Sequence, residues 1–290
     1  MKRIVILGVS GMLGSAAFRL LSRRSEFSTF GTARSSAVNK FFETPLRENI
    51  VTGIDVEYFD TLVSVLRDLR PDVLINCIGI VKQLAIAKDP LFAIPINSLL
   101  PHRLARLSEL INARLIHVST DCVFSGRRGD YRESDQADAD DLYGRTKFLG
   151  EVDYPNAITL RTSIIGRELS NRTGLLEWFL HASGRVRGFS KAIFSGLTTD
   201  EFTRVMADYV IPRQELRGVY HVSCDPINKY DLLQIVKSVY NLSTHIEPDS
   251  ALNIDRSLNS SRFQECTGYR PPVWPQMIDR MREFDREVRS

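Results

Sequence analysis

Tyr143 and Lys147 stand four residues apart, so on a helix they share one face with their Cβ atoms about 5 to 6 Å apart. An ammonium beside a phenol favours the phenolate and lowers the phenol's pKa, which makes a tyrosine usable as a proton donor or acceptor. By itself Tyr-x-x-x-Lys is also what a solvated helix face looks like. Two further groups precede it in the chain. Gly8-Val-Ser-Gly11-Met-Leu-Gly14 spaces three glycines at intervals of three, and His117-Val-Ser119-Thr120-Asp121 ends an apolar run in hydroxyl and carboxyl side chains. In that order the tyrosine and lysine become catalytic candidates, with the Thr120 hydroxyl placed to hydrogen-bond a carbonyl oxygen.

The glycine turn has elements on both sides to hold it. Residues 4–7 form a β-branched run ending at Gly8, and an amphipathic pattern from Met12 to Leu21 follows, which reads as strand, tight turn and helix. In that setting the first glycine permits the turn, the second lets the backbone approach a pyrophosphate, and the third lets the helix pack close. Helix N–H groups and the helix dipole then face the phosphates, so a dinucleotide is expected. The residue that reads the ribose should lie about 20 residues further on. Counting from Gly14 reaches Arg34, in Gly31-Thr-Ala-Arg34-Ser35-Ser36. An arginine there pairs with a 2′-phosphate, helped by the serine hydroxyls, so NADP (as NADPH) is expected, with NAD possible.

Further strands are expected at 27–33, near 49–51, and at 72–77, 114–119 and 157–161, with helices at 58–69, at 97–111 and around Tyr143 and Lys147. Strand and helix alternation with apolar strands implies an α/β fold, a doubly wound parallel sheet of Rossmann type. After Arg161 the alternation weakens. Loops are expected at 171–174 and 184–190, helices at 175–180, 199–210, 229–240 and 277–288, and a strand at 218–222. The expected division is a dinucleotide-binding domain over 1–165, with returning segments near 195–225, and a smaller, mainly substrate-binding lobe of interleaved segments over 166–290.

Composition narrows the function classes. The 38 basic and 35 acidic residues leave a net charge of +3 and are mixed along the chain, so no nucleic-acid surface is implied. No apolar run approaches the ~18 residues of a membrane span, and the chain start reads as a first strand, not a signal peptide. Four scattered cysteines, with no C-x-x-C, read as reduced thiols of a cytoplasmic protein. Five histidines show no metal spacing, so no metal is expected. Asp138-Ala-Asp140-Asp141 reads as a solvated helix start with favourable dipole placement. Arg185, Arg187 and Lys191 either clamp a substrate diphosphate or lie on a solvated loop, and Trp178 and Phe179 read as core.

The chain also resembles the extended short-chain dehydrogenase/reductase family over most of residues 1–240. The resemblance lies in Gly8-x-x-Gly11-x-x-Gly14, Asp55, Asn76-Cys-Ile-Gly79, Asn97, Ser119-Thr120-Asp121 and Tyr143-x-x-x-Lys147. Within that family, Ser119-Thr-Asp-Cys-Val-Phe-Ser-Gly126, Tyr143-Gly-Arg-Thr-Lys-Phe-Leu-Gly-Glu151 and Leu160-Arg161-Thr-Ser163 look most like dTDP-4-dehydrorhamnose reductases. The resemblance implies NADPH-dependent reduction of the 4-keto group of a nucleotide-linked 6-deoxyhexose, as in polysaccharide biosynthesis. Thr120, Tyr143 and Lys147 become the catalytic triad. Ser10, Met12 and Leu13 join the glycines on the phosphates, and Ser35 joins Arg34. Asp55, Ile78 and Gly79 line the adenine and ribose side, with Val56, Cys77 and Asn97 as further cofactor contacts. Val81, Asp121, Cys122 and Arg161 line the substrate, joined by Arg187. Two positions depart from the pattern: Cys122 stands where tyrosine is common, and Ile164 where an aromatic is. Related dehydratases carry a glutamate at the Cys122 position, so elimination of water is not expected. An epimerase and a non-catalytic, NADP-binding regulatory subunit stay open, as does a homodimer.

Overall fold

The computed structural model describes residues 1–170 and 173–289; Asn171 and Arg172, in one of the expected loops, lie outside them. In chain order the first half runs β1 (Lys2–Leu7), α1 (Met12–Ser22), β2 (Phe27–Ala33), α2 (Thr44–Arg47), β3 (Ile50–Thr52), α3 (Phe59–Leu69), β4 (Val73–Asn76), α4 (Pro90–Ala93), α5 (Leu100–Leu110), β5 (Arg114–Thr120), α6 (Leu142–Leu149) and β6 (Ala157–Thr162). There follow β7 (Ile164–Ile165), α7 (Leu175–Leu180), β8 (Arg185–Phe189), β9 (Ala192–Phe194), β10 (Leu197–Thr198), α8 (Thr199–Val205), β11 (Gly218–His221), β12 (Ile227–Asn228), α9 (Lys229–Tyr240), β13 (His245–Asp249), β14 (Ile254–Asp255), α10 (Ser261–Thr267) and α11 (Trp274–Arg289).

Seven strands form a parallel sheet in the order β11-β6-β5-β4-β1-β2-β3, the doubly wound architecture expected from the alternation. Every residue of β4 and β6 is buried, as strands covered by helices on both faces must be. The strand order reverses between β1 and β4, the switch point at which such sheets take ligands. Register sharpens this: Leu7 pairs with Thr32 and Asn76, and Asn76 with His117, so β1 and β4 end in one row, β2 ends one residue past it, and β5 continues beyond it to Thr120. The glycine turn and the loop after β4 leave from that row.

The chain divides into two compact units. The first comprises Met1–Ser119, Asp140–Leu160 and Thr203–Val219, and the second Thr120–Ala139, Arg161–Phe202 and Tyr220–Ser290. Residues 120–139 group with the second, although a boundary near 165 would put them in the first. In the first unit Val5, Leu7, Leu74 and Leu115 pack against Leu62 and Leu66 of α3 and Leu100 and Leu104 of α5, all fully or almost fully buried. Each such side chain contributes about 1.5 to 3 kcal/mol, so Leu66→Ala should cost about 2 to 5 kcal/mol. α3 places Leu62 and Leu66 one turn apart and stops at Arg70, whose φ of 45° closes a left-handed cap before Pro71.

In the second unit Val123, Phe124, Tyr131 and Leu258 form a small core. The loop expected at 184–190 is instead β8, paired in parallel with β13. Its partner lies about sixty residues further along the chain, so nothing local announces the strand. α5 begins at Leu100, not at Asn97, because a π-helical turn at Ile94–Leu99 joins it to α4. Such turns collect at functional sites.

Candidate active site

Gly8 has φ +86°, and a Cβ there would lie 2.9 Å from Ile78 Cγ1. At Gly14 a Cβ would sit 2.2 Å from the Gly8 carbonyl oxygen, so no side chain fits and α1 packs directly on the turn. The Ser15 N–H, bonded to Gly11 O at 2.9 Å, is the first of α1 to find a helical acceptor. Those of Met12, Leu13 and Gly14 have no intrahelical partner, as at any helix start. Leu13 is 5% exposed, so it can offer a ligand only its backbone.

A cavity of about 240 Å³ opens beside this turn, lined by Gly8, Ser10, Gly11, Arg34, Asp55, Val56, Cys77, Ile78 and Gly79 among others. Arg34 is exposed. Ser35 caps the following 3₁₀ turn, accepting the Ala37 N–H at 3.2 Å, which leaves its O–H to donate. Asp55 accepts the Glu57 N–H with Oδ1 at 3.1 Å. A backbone cradle too close for a Cβ, with an arginine and a carboxylate in one cavity, fits the adenosine and phosphate end of a nicotinamide dinucleotide.

Two buried asparagines hold the loop after β4. Asn76 accepts the Ile78 N–H (3.1 Å) and donates to His117 Nδ1 (3.1 Å). His117 is neutral: burial pushes its pKa well down, and Lys147 and His102 add to this. Asn97, expected among the cofactor contacts, brackets the loop that borders the cavity. It is 1% exposed, its Oδ1 accepts the Ile80 N–H (2.9 Å), and its Nδ2 donates to Ile80 O (3.1 Å) and Thr146 Oγ1 (3.4 Å). The pair fixes Ile78, Gly79 and Ile80 from both ends.

Asp141 starts α6 by accepting the Gly144 N–H at 2.8 Å, and its other oxygen lies 2.6 Å from Lys82 Nζ. α6 carries Tyr143, half-buried, and Lys147, 5% exposed. Lys147 Nζ donates to Val118 O at 2.8 Å and lies 3.9 Å from where a Gly79 Cβ would stand. Burial lowers the Lys147 pKa to about 8, against the opposing pull of Glu151 and Cys77. Glu151, one turn further on, accepts the Ser119 hydroxyl at 2.7 Å. Burial also pushes the Cys77 thiol up to about 12 despite Lys147, so it is a neutral wall, not a nucleophile.

In the second unit Thr120 begins a short turn whose hydroxyl accepts the Cys122 N–H and donates to Asp121 Oδ1, both at 3.1 Å. Burial pushes the Asp121 carboxyl up, with Arg256 and Lys229 pulling it back. Arg161, expected at the substrate, lies in the interior with protein partners. It is 3% exposed, lies 5.2 Å above the Phe124 ring, and donates to His221 Nε2 at 3.1 Å, while His221 Nδ1–H donates to Tyr131 O at 2.9 Å. Burial, with Arg161 beside it, holds His221 neutral with a pKa of about 3. Arg187 lies on β8 with its side chain 78% exposed, 3.7 Å from Asp249. Asp138 holds the Ser125 hydroxyl and N–H, and of the aromatic pair Phe179 is core while Trp178 is 42% exposed. Val81 is 43% exposed in the loop after β4.

Sequence reasoning assigned no role to His117, Glu151 or Lys229. Glu151 had a findable signal in its place four residues after Lys147, although α6 ends at Leu149 and leaves it just past the helix. Among the described residues no group of three or more His, Cys, Asp and Glu could hold a metal, and no helix is long and apolar enough to cross a membrane.

A family model described as the RmlD substrate binding domain matches residues 1–281. Methionine adenosyltransferase 2 subunit beta of Danio rerio is 26% identical over 262 residues, 85% of this chain and 77% of that protein. The probable low-salt glycan biosynthesis reductase Agl14 of Haloferax volcanii is 28% identical over 201 residues, 67% of this chain and 64% of that one. Among solved structures, dTDP-4-dehydrorhamnose reductase of Bacillus anthracis in complex with NADP shares the fold, with a TM-score of 0.80, 20% identity, and coverage of 97% of this chain and 99% of that one. The chain therefore belongs to the RmlD substrate-binding-domain family.

Proposed function

We propose that this protein is an NADPH-dependent reductase of the 4-keto group of a nucleotide-linked 6-deoxyhexose. The observation that carries the reading is Lys147. It is an ammonium drawn out of water beside Gly79, one of the residues that line the cavity, on the helix that carries Tyr143. When bound, the reduced nicotinamide supplies a hydride to the carbonyl carbon. The chain's own residues do the rest. Tyr143 gives its phenolic proton to the carbonyl oxygen as the C=O π pair moves onto it. Lys147, positively charged below about pH 8, favours the phenolate left behind and can hydrogen-bond the cofactor's ribose. In the second unit the Thr120 hydroxyl, which donates to Asp121 Oδ1, is the candidate donor to a substrate oxygen. Asn76 and Asn97 act as positioning residues for the loop that borders the cofactor.

Arg34 supports NADPH over NADH, and Cys122 leaves the turn after Thr120 without the acid and base that elimination needs. Incubation with NADPH and a panel of nucleotide-linked 4-keto sugars should show loss of absorbance at 340 nm with at least one of them and a reduced sugar as product. No oxidation with any member of the panel would overturn the reading.

A second reading has one observation behind it: the methionine adenosyltransferase 2 subunit beta relatives cover more of this chain than the reductase relative does. A non-catalytic, dinucleotide-binding subunit would bind NADPH, oxidise none of it, and co-elute with a methionine adenosyltransferase on size exclusion.

A further inference from the structure

Lys229 and Arg256 follow the outer strands of the three-stranded sheet β12-β9-β14. β12 runs antiparallel to β9 with Asn228 opposite Ile193, and β14 runs parallel to it with Asp255 opposite the same Ile193. Each cation is the next residue in its chain. The sheet is fastened to the segment that carries Thr120, Asp121 and Cys122. The Asp255 N–H donates to Gly126 O at 2.7 Å, and Arg256 Nε donates to Phe124 O at 2.8 Å. Two positive groups thereby come to the single buried carboxylate of that segment, Asp121, which is 5% exposed.

The charges there do not balance. Asp121 brings one negative charge against two positive ones. The Lys229 ammonium lies 3.6 Å from the centroid of the Phe194 ring, and no acceptor among the described residues hydrogen-bonds it. The terminal nitrogens of Arg256 are likewise without a protein acceptor among those residues. A part-buried ammonium with three donors and no acceptor is costly. Lys229 also opens α9, where the positive end of the helix dipole opposes a cation. Burial pushes its pKa down and Arg256 adds to this, with Asp121 and Cys122 pulling the other way. A cation opposed by desolvation, dipole and a like charge suits a site that an anion completes.

We propose that Lys229, with Arg256 beside it, binds the diphosphate of a nucleoside diphosphate-linked substrate next to Thr120-Asp121-Cys122. The proposal rests on the sugar-nucleotide reading above and adds the residue that recognises the substrate's charge. A diphosphate brings the excess of negative charge and of acceptor oxygens that this corner lacks, whereas a neutral sugar brings only hydroxyls.

Calorimetric titration of the intact protein with dTDP, UDP, GDP and ADP, and with the four matching nucleosides, tests it. At least one diphosphate should bind, and far more tightly than its nucleoside. Lys229→Met should weaken that diphosphate about 10- to 100-fold, the loss of a charge-assisted contact. Lys229→Arg should restore most of the affinity, and neither change should alter NADPH binding. The proposal is overturned if no diphosphate binds, if the nucleoside binds as well as its diphosphate, or if Lys229→Met binds like the wild type. The wild-type ratio of diphosphate to nucleoside affinity decides even if Lys229→Met fails to fold. Lys229-dependent diphosphate binding without any NADPH oxidation would remove the reductase reading and leave this one standing.

Discussion

Lys147 and Lys229 are both ammonium groups drawn out of water, one in each unit, and they are completed differently. Lys147 donates to Val118 O at 2.8 Å and has Glu151 one turn away, so the protein itself supplies its acceptor and its countercharge. Lys229 has an aromatic face, a like-charged neighbour and a carboxylate that it shares with Arg256. A cation completed by its own fold is tuned, and a cation left incomplete is set to bind. That contrast is why proton chemistry is proposed for Lys147 in the first unit and charge recognition for Lys229 in the second.

The largest expected effect comes from Lys147→Met, which should lower kcat about 100- to 10,000-fold, the range over which acid and base catalysis contributes, while diphosphate affinity stays unchanged. If diphosphate affinity fell with kcat, the two lysines would not have separate tasks. Arg34→Ala should raise the KM for NADPH about 10- to 100-fold and barely change that for NADH, measured by initial rates with each cofactor. Equal losses with both would show that Arg34 reads no 2′-phosphate.

pH gives a finer test. Below about pH 8 Lys147 is charged in folded and unfolded chains alike; between about 8 and its ordinary 10.5 only the unfolded chain keeps the proton. Activity that needs the ammonium should therefore fall as pH rises through about 8. The contribution of Lys147 to stability should rise across the same window, so denaturant midpoints of wild type and Lys147→Met should move apart there in favour of the wild type. The smallest effect is for Glu151→Gln. Removing the carboxylate that holds the Lys147 pKa up should shift the alkaline limb of the rate profile to lower pH, and an unmoved limb would leave Glu151 only its bond to Ser119.

The first unit was legible because its signals are local. Strand, glycine turn and helix follow within Lys2–Ser22, β2 falls at 27–33 as the apolar pattern places it, and α6 brings Tyr143 and Lys147 onto one helix. The burial of Arg161 was not legible because its motif names a position but not its surroundings, and His221, sixty residues later, takes its guanidinium inside. The bracket made by Asn97 was hidden in the same way, since it joins Ile80 to Thr146 of α6, far away in the chain. β8 and the Lys229 corner were invisible because strands far apart in sequence assemble them, with Ile193 as the residue common to both cations' strands.

In the proposed reaction the Tyr143 phenol gives a proton to a sugar carbonyl while a dinucleotide sits in the cavity beside the glycine turn. This transfer is tested most directly by following NADPH oxidation with a nucleotide-linked 4-keto sugar in wild type and Tyr143→Phe, with NADPH affinity measured in both. Turnover is expected in the wild type, with a fall of at least about 100-fold in Tyr143→Phe and equal NADPH affinity. Tyr143→Phe turning over at the wild-type rate would contradict the proposed transfer.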